Sequence, residues 1–204
     1  CERIETAGSI RRRRLDVGDI EIVAVPRRHM EPDGMFDSFE VDDFQLAIDN
    51  LLEDGVLASH PTDPKRGQRY SKLIHAASGI QVDLFSARPE TFGMVLLIRT
   101  GPADYSRQFV TDIKRIGWHV ANGAELHRGG AGCGFTPCDV VPTREEEDVY
   151  AVLGHPWIEP RARADLSALF QIQAAGRFAC RTCRTLDRAG GTRAHPGARR
   201  LYDD

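Results

Sequence analysis

The order of apolar and polar residues divides the first half of the chain into short strands around one helix. Local composition and turn residues predict four strands, at residues 3–6, 19–25, 70–76 and 80–85. Apolar residues recur at helical spacing between the second and third strands, at Phe44, Ala47, Ile48, Leu51 and Leu52. We therefore predict a helix over residues 42–54, capped by Asp42 or Asp43 and ended by Gly55. Residues 27–38, with Pro and Gly near their middle, are predicted to form a loop.

The second half of the chain carries a further helical pattern, a hairpin signal and a helix start. Apolar residues at i, i+4 and i+3 spacing predict an amphipathic helix that ends near Arg115: Tyr105, Phe109, Ile113 and Ile116. Asn122-Gly123 predicts a short hairpin over residues 118–128. Thr143 and Glu146 have the spacing of a capping box, ahead of a helix that ends near residue 154.

Composition and charge limit the class of protein. The chain has 204 residues, 41% of them hydrophobic, which is enough to bury a core in one domain or two small ones. The net charge of −3 argues against a wholly basic coat for nucleic acid. Six arginines against three acids nevertheless give residues 11–28 a net charge of +3. Seven arginines against three acids give residues 177–204 a net charge of +4, and we expect a mobile basic tail beyond Leu169.

Two further features concern cellular location and surface. No segment approaches the roughly 20 apolar residues that span a bilayer, so we expect a soluble, cytoplasmic protein of a bacterial or phage-infected cell, without a membrane partner. The acidic run over residues 145–148 is expected to be a solvated face.

The cysteines favour free thiols over a disulfide framework. There are five, an odd number. Cys180 and Cys183 have the CxxC spacing of a metal-binding pair, but Cys133 and Cys138 upstream form an irregular second pair. Since a structural zinc site needs two well-spaced pairs, free thiols are the expected state.

The stretch from Gly8 to Glu21 carries the candidate chemistry. Because side chains alternate along a strand, Asp19 and Glu21 project from the same face. Two neighbouring carboxylates repel each other unless a cation lies between them, and oxygen-only ligation suits Mg²⁺ with substrate phosphates in its shell. Gly8 and Ser9 would let backbone N–H groups at a helix start face an anion, with the following arginines adding positive charge. These features indicate a site for a metal-bound nucleoside triphosphate.

This stretch resembles the signature of the DNA polymerase beta superfamily, and it is closest to the family X DNA polymerases. That signature is Gly-Ser, two arginines, a spacer, Gly-Asp, an apolar residue and Asp. The corresponding positions here are Gly8, Ser9, Arg11, Arg12, Gly18, Asp19 and Glu21. The last position departs from the family, since Glu replaces Asp.

The resemblance implies an α+β fold. Residues 1–98 would form a nucleotidyltransferase palm with a mixed β-sheet and flanking helices, in which the N-terminal helix of the family is missing. Residues 99–165 would form a small α/β thumb, and residues 166–204 the basic tail.

The resemblance also implies the site residues. Asp83 would be the third catalytic carboxylate, and with Asp19 and Glu21 it would bind two Mg²⁺ ions, with Mn²⁺ as an alternative. Ser9 and Arg12 would hold the terminal phosphates. The remaining nucleotide-binding positions that the resemblance gives are Gly8, Gly18, Gly101 and Ser106.

Residues 92–101 resemble the link from palm to thumb in family X. From this link we expect a cis peptide bond between Gly101 and Pro102. Ile98 and Arg99 replace the aromatic pair with which the family screens the sugar, and Ser106 stands where some members carry an Asn that contacts the base.

The expected function is that of a monomeric DNA polymerase that adds dNMP from a dNTP to a DNA 3′-hydroxyl, with DNA repair as its setting. Its partners would be a DNA primer-template and a dNTP. Two alternatives stay open: a nucleotidyltransferase that acts on a non-DNA acceptor, and a catalytically silent DNA-binding module. The superfamily motif is shared across acceptors, so it does not decide among them.

Overall fold

The computed structural model describes residues 1–34, 37–115, 117–122, 124–128 and 140–164. The predicted basic tail over residues 166–204 lies outside these ranges. The same holds for the cysteines discussed above: Cys133, Cys138, Cys180 and Cys183.

The described chain combines strands and helices in an α+β arrangement, as expected. The strands are β1 (Arg3–Thr6), β2 (Asp19–Val25), β3 (Arg28–Asp33), β4 (Asp37–Asp42), β5 (Leu57–Ser59), β6 (Lys65–Arg66), β7 (Tyr70–His75), β8 (Gln81–Ser86), β9 (Trp118–Ala121), β10 (Glu125–Arg128) and β11 (Val140–Val141). The α-helices are α1 (Gly8–Arg11), α2 (Asp43–Glu53), α3 (Phe92–Thr100), α4 (Ala103–Arg115) and α5 (Glu146–Val152). Short 3-10 turns lie at Pro89–Thr91 and Pro160–Ala164.

The main sheet is mixed and has the strand order β1-β2-β8-β7-β5, with β6 paired to β7. β2 and β8 at its centre are parallel, whereas β1 pairs with β2, and β7 with β8, in antiparallel orientation. β3 and β4 form a separate hairpin, and β9, β10 and β11 form a small antiparallel sheet.

The two faces of the main sheet bury different apolar clusters. Val82 and Leu84 point to the face that α2 covers, where they pack with Phe44 and Ile48. Phe85 belongs to the other cluster, together with α3, α4, α5 and the β9–β10 hairpin. Because α3 lies at the centre of that second cluster, its apolar residues from Phe92 to Leu97 are buried on every side.

Several predicted elements are confirmed. β1 and β2 have the predicted bounds, β7 ends one residue earlier than predicted, β8 is shifted by one residue at both ends, and the hairpin over residues 118–128 is present. α2 lies within the predicted range, and the Asp42 side chain caps it by accepting hydrogen bonds from the amides of Phe44 and Gln45, both at 3.0 Å. α4 ends at Arg115, as the apolar spacing predicts.

The predicted loop over residues 27–38 is wrong, because β3 and β4 form a hairpin there. The strands pair from Arg28 opposite Asp42 to Asp33 opposite Asp37, and an ion pair of 3.0 Å joins Arg28 and Asp42. Pro32 is tolerated because this sheet has two strands, so a proline can lie where no neighbouring strand requires its missing N–H group.

The predicted cis bond between Gly101 and Pro102 is also wrong, since this bond is trans. Gly101 leaves α3 with φ −67° and ψ 157°, the extended region that a residue before a trans proline favours.

The predicted capping box at Thr143 and Glu146 is wrong as well. α5 has Glu145 as its N-cap residue, and the Glu145 amide donates to Asp148 Oδ2 at 2.8 Å. The Thr143 amide instead donates to the Glu90 carbonyl at 2.7 Å. Glu146 is only 2% exposed, so it also departs from the solvated face expected for residues 145–148.

The boundary expected between residues 98 and 99 lies inside α3, and one apolar cluster extends from Val23 in β2 to Tyr150 in α5. Among the described residues, no helix has the length and apolar character needed to cross a membrane.

Candidate functional site

Three carboxylates share one face of the two parallel central strands. Glu21 in β2 lies opposite Asp83 in β8, and Asp19 lies opposite Gln81. Because alternate residues of a strand face the same side, Asp19, Glu21 and Asp83 project together. Ile20, on the other face of β2, packs into the cluster under α2. We call the three acids the carboxylate site.

Asp83 is held in place by two side chains. It is 7% exposed, and its Oδ1 atom accepts a hydrogen bond of 2.8 Å from the Tyr70 hydroxyl. Its Oδ2 atom accepts a bond of 2.8 Å from the Gln81 side-chain amide. Burial and the Asp83 charge together raise the pKa of the Tyr70 hydroxyl, so Tyr70 remains a donor. These two bonds fix the direction of the Asp83 carboxylate.

Nearby arginines only partly offset the negative charge of the carboxylate site. Burial, followed by the negative charges of Asp19 and Asp83, raises the pKa of Glu21 to about 7. Burial and the charge of Asp83 also raise the pKa of Asp19. The positive charges of Arg99 and Arg12 lower the pKa of Glu21, but by less than burial and the two carboxylates raise it. A bound divalent cation would remove this repulsion.

The donor set of this site fits Mg²⁺, because all its ligating atoms would be carboxylate oxygens. In the described part of the chain, no group of three or more His, Cys, Asp and Glu side chains is already arranged to hold a metal ion. Both oxygens of Asp83 are engaged by protein donors, and Glu21 packs against Gly8. Holding an ion would therefore require these side chains to turn toward it.

Gly8 and Ser9 form the wall of the site beside Glu21. Gly8 has φ +57°, and a Cβ atom at this position would overlap Glu21 Oε2, so only glycine fits. The adjacent Ser9 Oγ is buried and has no hydrogen-bond partner among the described residues. Since buried hydroxyl groups are normally bonded, this orphan donor is suited to an acceptor such as a phosphate oxygen.

The two arginines after Ser9 connect the site to the end of α3. Arg12 is half-buried and donates to the Thr100 carbonyl. Burial lowers its pKa, whereas the charges of Glu21 and Asp19 act to raise it. Arg11 donates to Thr100 Oγ1 at 2.8 Å and forms an ion pair of 2.7 Å with Glu146. Arg12 is thus close to the carboxylates, while Arg11 is engaged in a buried ion pair.

The other positions implied by the resemblance lie elsewhere. Ser106 is buried, and its hydroxyl donates to the Ile98 carbonyl at 2.7 Å. A Cβ atom at Gly101 would approach Tyr105 Cδ1 to 2.8 Å, so Gly101 serves close packing between α3 and α4. Gly18 is exposed, with open space around its Cα. Gly18 directly precedes Asp19 in the chain, whereas Gly101 and Ser106 lie where α3 packs against α4.

A cleft of about 380 Å³ lies beside Tyr70, and Phe85, Arg99 and Asn122 are also among its lining residues. The Tyr70 and Phe85 rings stack with centroids 4.8 Å apart, and the Arg99 guanidinium carbon lies 4.1 Å from the Phe85 centroid. We call this the aromatic cleft. It connects through the Tyr70 hydroxyl to the carboxylate site.

Sequence reasoning missed Tyr70, Gln81 and the buried pair of Glu146 and Arg163. Gln81 carried a local signal, since it lies two residues before Asp83 on the same strand. Tyr70 had none, because its contact depends on the pairing of β7 with β8.

The pair of Glu146 and Arg163 is nearly inaccessible to water. Their side chains are 2% and 0% exposed, and Arg163 Nη1 donates to Glu146 Oε1 at 2.8 Å. Burial alone would raise the pKa of Glu146, but hydrogen bonds from Arg163 and Arg11 hold that pKa below its ordinary value. Arg163 also donates to the Ile158 carbonyl at 3.0 Å through Nε.

No protein-family model matches this chain.

Proposed function

We propose that this protein is a DNA polymerase β-like nucleotidyltransferase that adds dNMP from a dNTP to a DNA 3′-hydroxyl. In this proposal the main sheet belongs to the palm, and the part after α3 forms a small α/β thumb. The observation that carries it is the common face of Asp19, Glu21 and Asp83 on two parallel strands, with Glu21 in register with Asp83. The raised pKa values of Asp19 and Glu21 support a cation at this face.

Each residue has a role in this reaction. Asp19, Glu21 and Asp83 would hold two Mg²⁺ ions, with Mn²⁺ as an alternative. When bound, these ions lower the pKa of the attacking hydroxyl and neutralise charge on the phosphates. Ser9 donates its unpaired hydroxyl to a phosphate oxygen, and Arg12 adds positive charge beside it.

Tyr70, Gln81 and the aromatic cleft would support the reaction. Tyr70 and Gln81 each donate a hydrogen bond to one oxygen of Asp83, and turning toward an ion would exchange at least one of these bonds for the ion. The cleft beside Tyr70 gives a nucleotide an aromatic and cationic surface.

Primer extension with Asp83→Asn tests this proposal. The substitution removes the negative charge but keeps an oxygen that can accept the bond from Tyr70. We expect nucleotide addition to fall more than about 100-fold. The matched control is Asp112→Asn in α4, where the aspartate is 8% exposed, close to the 7% of Asp83, and accepts hydrogen bonds from Gln108 and Arg115. Full activity of Asp83→Asn would exclude Asp83 from catalysis.

The same assay separates the alternatives by acceptor. Reactions contain a primer with a template, a primer alone, or an RNA acceptor, and pyrophosphate release is measured in each. Extension only of DNA primers supports the DNA polymerase, and filling of short gaps would fit a setting in DNA repair. Transfer to RNA alone would indicate a different acceptor. DNA binding without pyrophosphate release would indicate a silent binding module.

A further inference from the structure

A second cavity, of about 200 Å³, opens beside the aromatic cleft. Arg28, Arg69 and Arg88 line it, together with the polar side chains of Ser86 and Asn122. None of the described residues that line it is acidic. Arg69, Ser86 and Asn122 line both spaces, so the two adjoin. We call the second one the arginine cavity.

The topology of the main sheet brings the three arginines together. β2 and β8 are parallel and end at the same edge of the sheet, and the antiparallel β7 begins there. Arg28 follows β2, Arg88 follows β8 and Arg69 precedes β7. Backbone hydrogen bonds fix this edge, since the Ser86 amide donates to the Arg69 carbonyl at 3.0 Å.

One of the three arginines has no acidic partner among the described residues. Arg28 pairs with Asp42 at 3.0 Å and with Glu40 at 4.0 Å, and Arg88 pairs with Glu125. Arg69 donates only to the Asn122 carbonyl, at 3.3 Å, and pairs with no carboxylate of the described chain. Because guanidinium groups stay protonated, the charge of Arg69 at this small polar cavity attracts an anion, which Arg28 and Arg88 can also contact.

Phosphate is the anion that these groups fit. Guanidinium groups bind phosphate oxygens with two parallel N–H bonds, and the hydroxyl of Ser86 provides a further donor. Ser86, the last residue of β8, lines the arginine cavity three residues after Asp83, a separation of about 10 Å at ~3.3 Å per residue. The aromatic cleft shares Arg69, Ser86 and Asn122 with this cavity, and aromatic rings beside arginines are the usual surface for a single strand.

We infer that the arginine cavity binds a phosphate group of a nucleic-acid strand whose neighbouring nucleotide occupies the aromatic cleft. This inference rests on the proposed function, because it assigns the path of a strand past the same carboxylate site. The phosphate belongs either to the interior of the strand or to its 5′ end, and the chemistry of recognition is the same.

Binding of a single strand to the full chain tests the inference. The probe is an oligodeoxythymidylate of about 12 nucleotides, labelled at its 3′ end, with either a 5′-phosphate or a 5′-hydroxyl. Fluorescence anisotropy gives Kd between about 50 and 200 mM KCl. The variants are Arg69→Gln and, as a second cavity variant in case the first does not fold, Arg28→Gln. The matched control is Arg107→Gln, which removes one exposed arginine of α4.

Arg69→Gln should weaken binding about tenfold, as expected for one charge-assisted hydrogen bond. The slope of log Kd against log salt should fall by about 0.7, the value for one phosphate contact of a single strand. Arg107→Gln should change neither. A loss seen only with the 5′-phosphate probe places the strand end in the cavity, and an equal loss with both probes places an interior phosphate there.

Three results would overturn the inference. The first is that Arg69→Gln and Arg107→Gln bind the strand equally well, and the second is that the wild type does not bind the strand. The third is that a polyglutamate peptide displaces the strand from the wild type as strongly as an unlabelled strand does, and that this displacement depends on Arg69. Failure of the inference is distinguishable from failure of the proposed function. If only the inference fails, the wild type extends primers while Arg69→Gln binds the strand normally. If only the proposed function fails, the wild type binds the strand through Arg69 but releases no pyrophosphate.

Discussion

Glu146→Gln should destabilise the protein strongly, because Glu146 anchors two arginines in the interior. Arg163 donates two hydrogen bonds to its carboxylate, at 2.8 and 3.0 Å, and Arg11 lies 2.7 Å from it. Removing one partner of a buried ion pair leaves the other charge uncompensated, which costs about 3–5 kcal/mol. Arg163 keeps its bonds to the Ile158 carbonyl, so we expect the lower part of this range.

Glu147→Gln is the matched control, since Glu147 is exposed in the next position of α5 and loses the same charge. Its effect should stay below about 1 kcal/mol, as for surface ion pairs. Urea unfolding followed by circular dichroism gives the free energy of unfolding of each variant, with the slope against urea as a check on two-state behaviour. If Glu146→Gln lies within about 1 kcal/mol of Glu147→Gln, the buried network does not contribute as argued.

The pH dependence of unfolding gives a second readout for Glu146. The pKa of Glu146 is lower in the folded protein than its ordinary value of 4.5. A lowered carboxyl pKa stabilises the folded state above that ordinary value, and this contribution is lost as the pH falls through the folded-state pKa. The wild type should therefore lose more stability below about pH 4.5 than Glu146→Gln does. Parallel acid profiles of the two proteins would contradict this assignment.

Two further predictions concern the carboxylate site. Gly8→Ala should lower the free energy of unfolding by more than the ~1–2 kcal/mol that a left-handed alanine costs, because the new Cβ also overlaps Glu21 Oε2. The control is Gly79→Ala, where φ is +70° and the space around the Cα is open. Equal urea midpoints for the two variants would contradict the close approach of Gly8 to Glu21. Glu21→Gln should raise the Tm at about pH 8 without metal, but not at about pH 4.5. The reason is that a folded-state pKa of about 7 for Glu21 makes the stability of the wild type fall as the pH rises between 4.5 and 7. A Tm difference between variant and wild type that does not vary with pH would contradict the raised pKa.

Elements with strong local signals could be predicted from the sequence. α2 combines apolar residues at helical spacing with an aspartate that bonds the first free amides, and both lie within a few residues of each other. The common face of Asp19 and Glu21 likewise follows from the alternation of a single strand. By contrast, the β3–β4 hairpin was missed because Pro32 suggested a break, whereas a two-stranded sheet leaves room for a proline.

The rest of the site depends on contacts between distant parts of the chain. Asp83 faces Glu21 through parallel pairing of strands that are separated by about 60 residues, and no local pattern sets that register. Only the family resemblance pointed to Asp83. Glu146 was assigned to a solvated acidic run, although Arg11 and Arg163 bury it. Which acid of such a run faces the interior is decided by tertiary packing.

Manganese binding tests most directly whether the three carboxylates form a cation site. At about pH 8, above the pKa of about 7 for Glu21, free Mn²⁺ is titrated into the protein and followed by electron paramagnetic resonance. We predict that the wild type and Asp112→Asn bind Mn²⁺ equally, and that Asp83→Asn binds it at least about tenfold more weakly. Equal binding by Asp83→Asn and the wild type, or no binding by the wild type, would contradict the account.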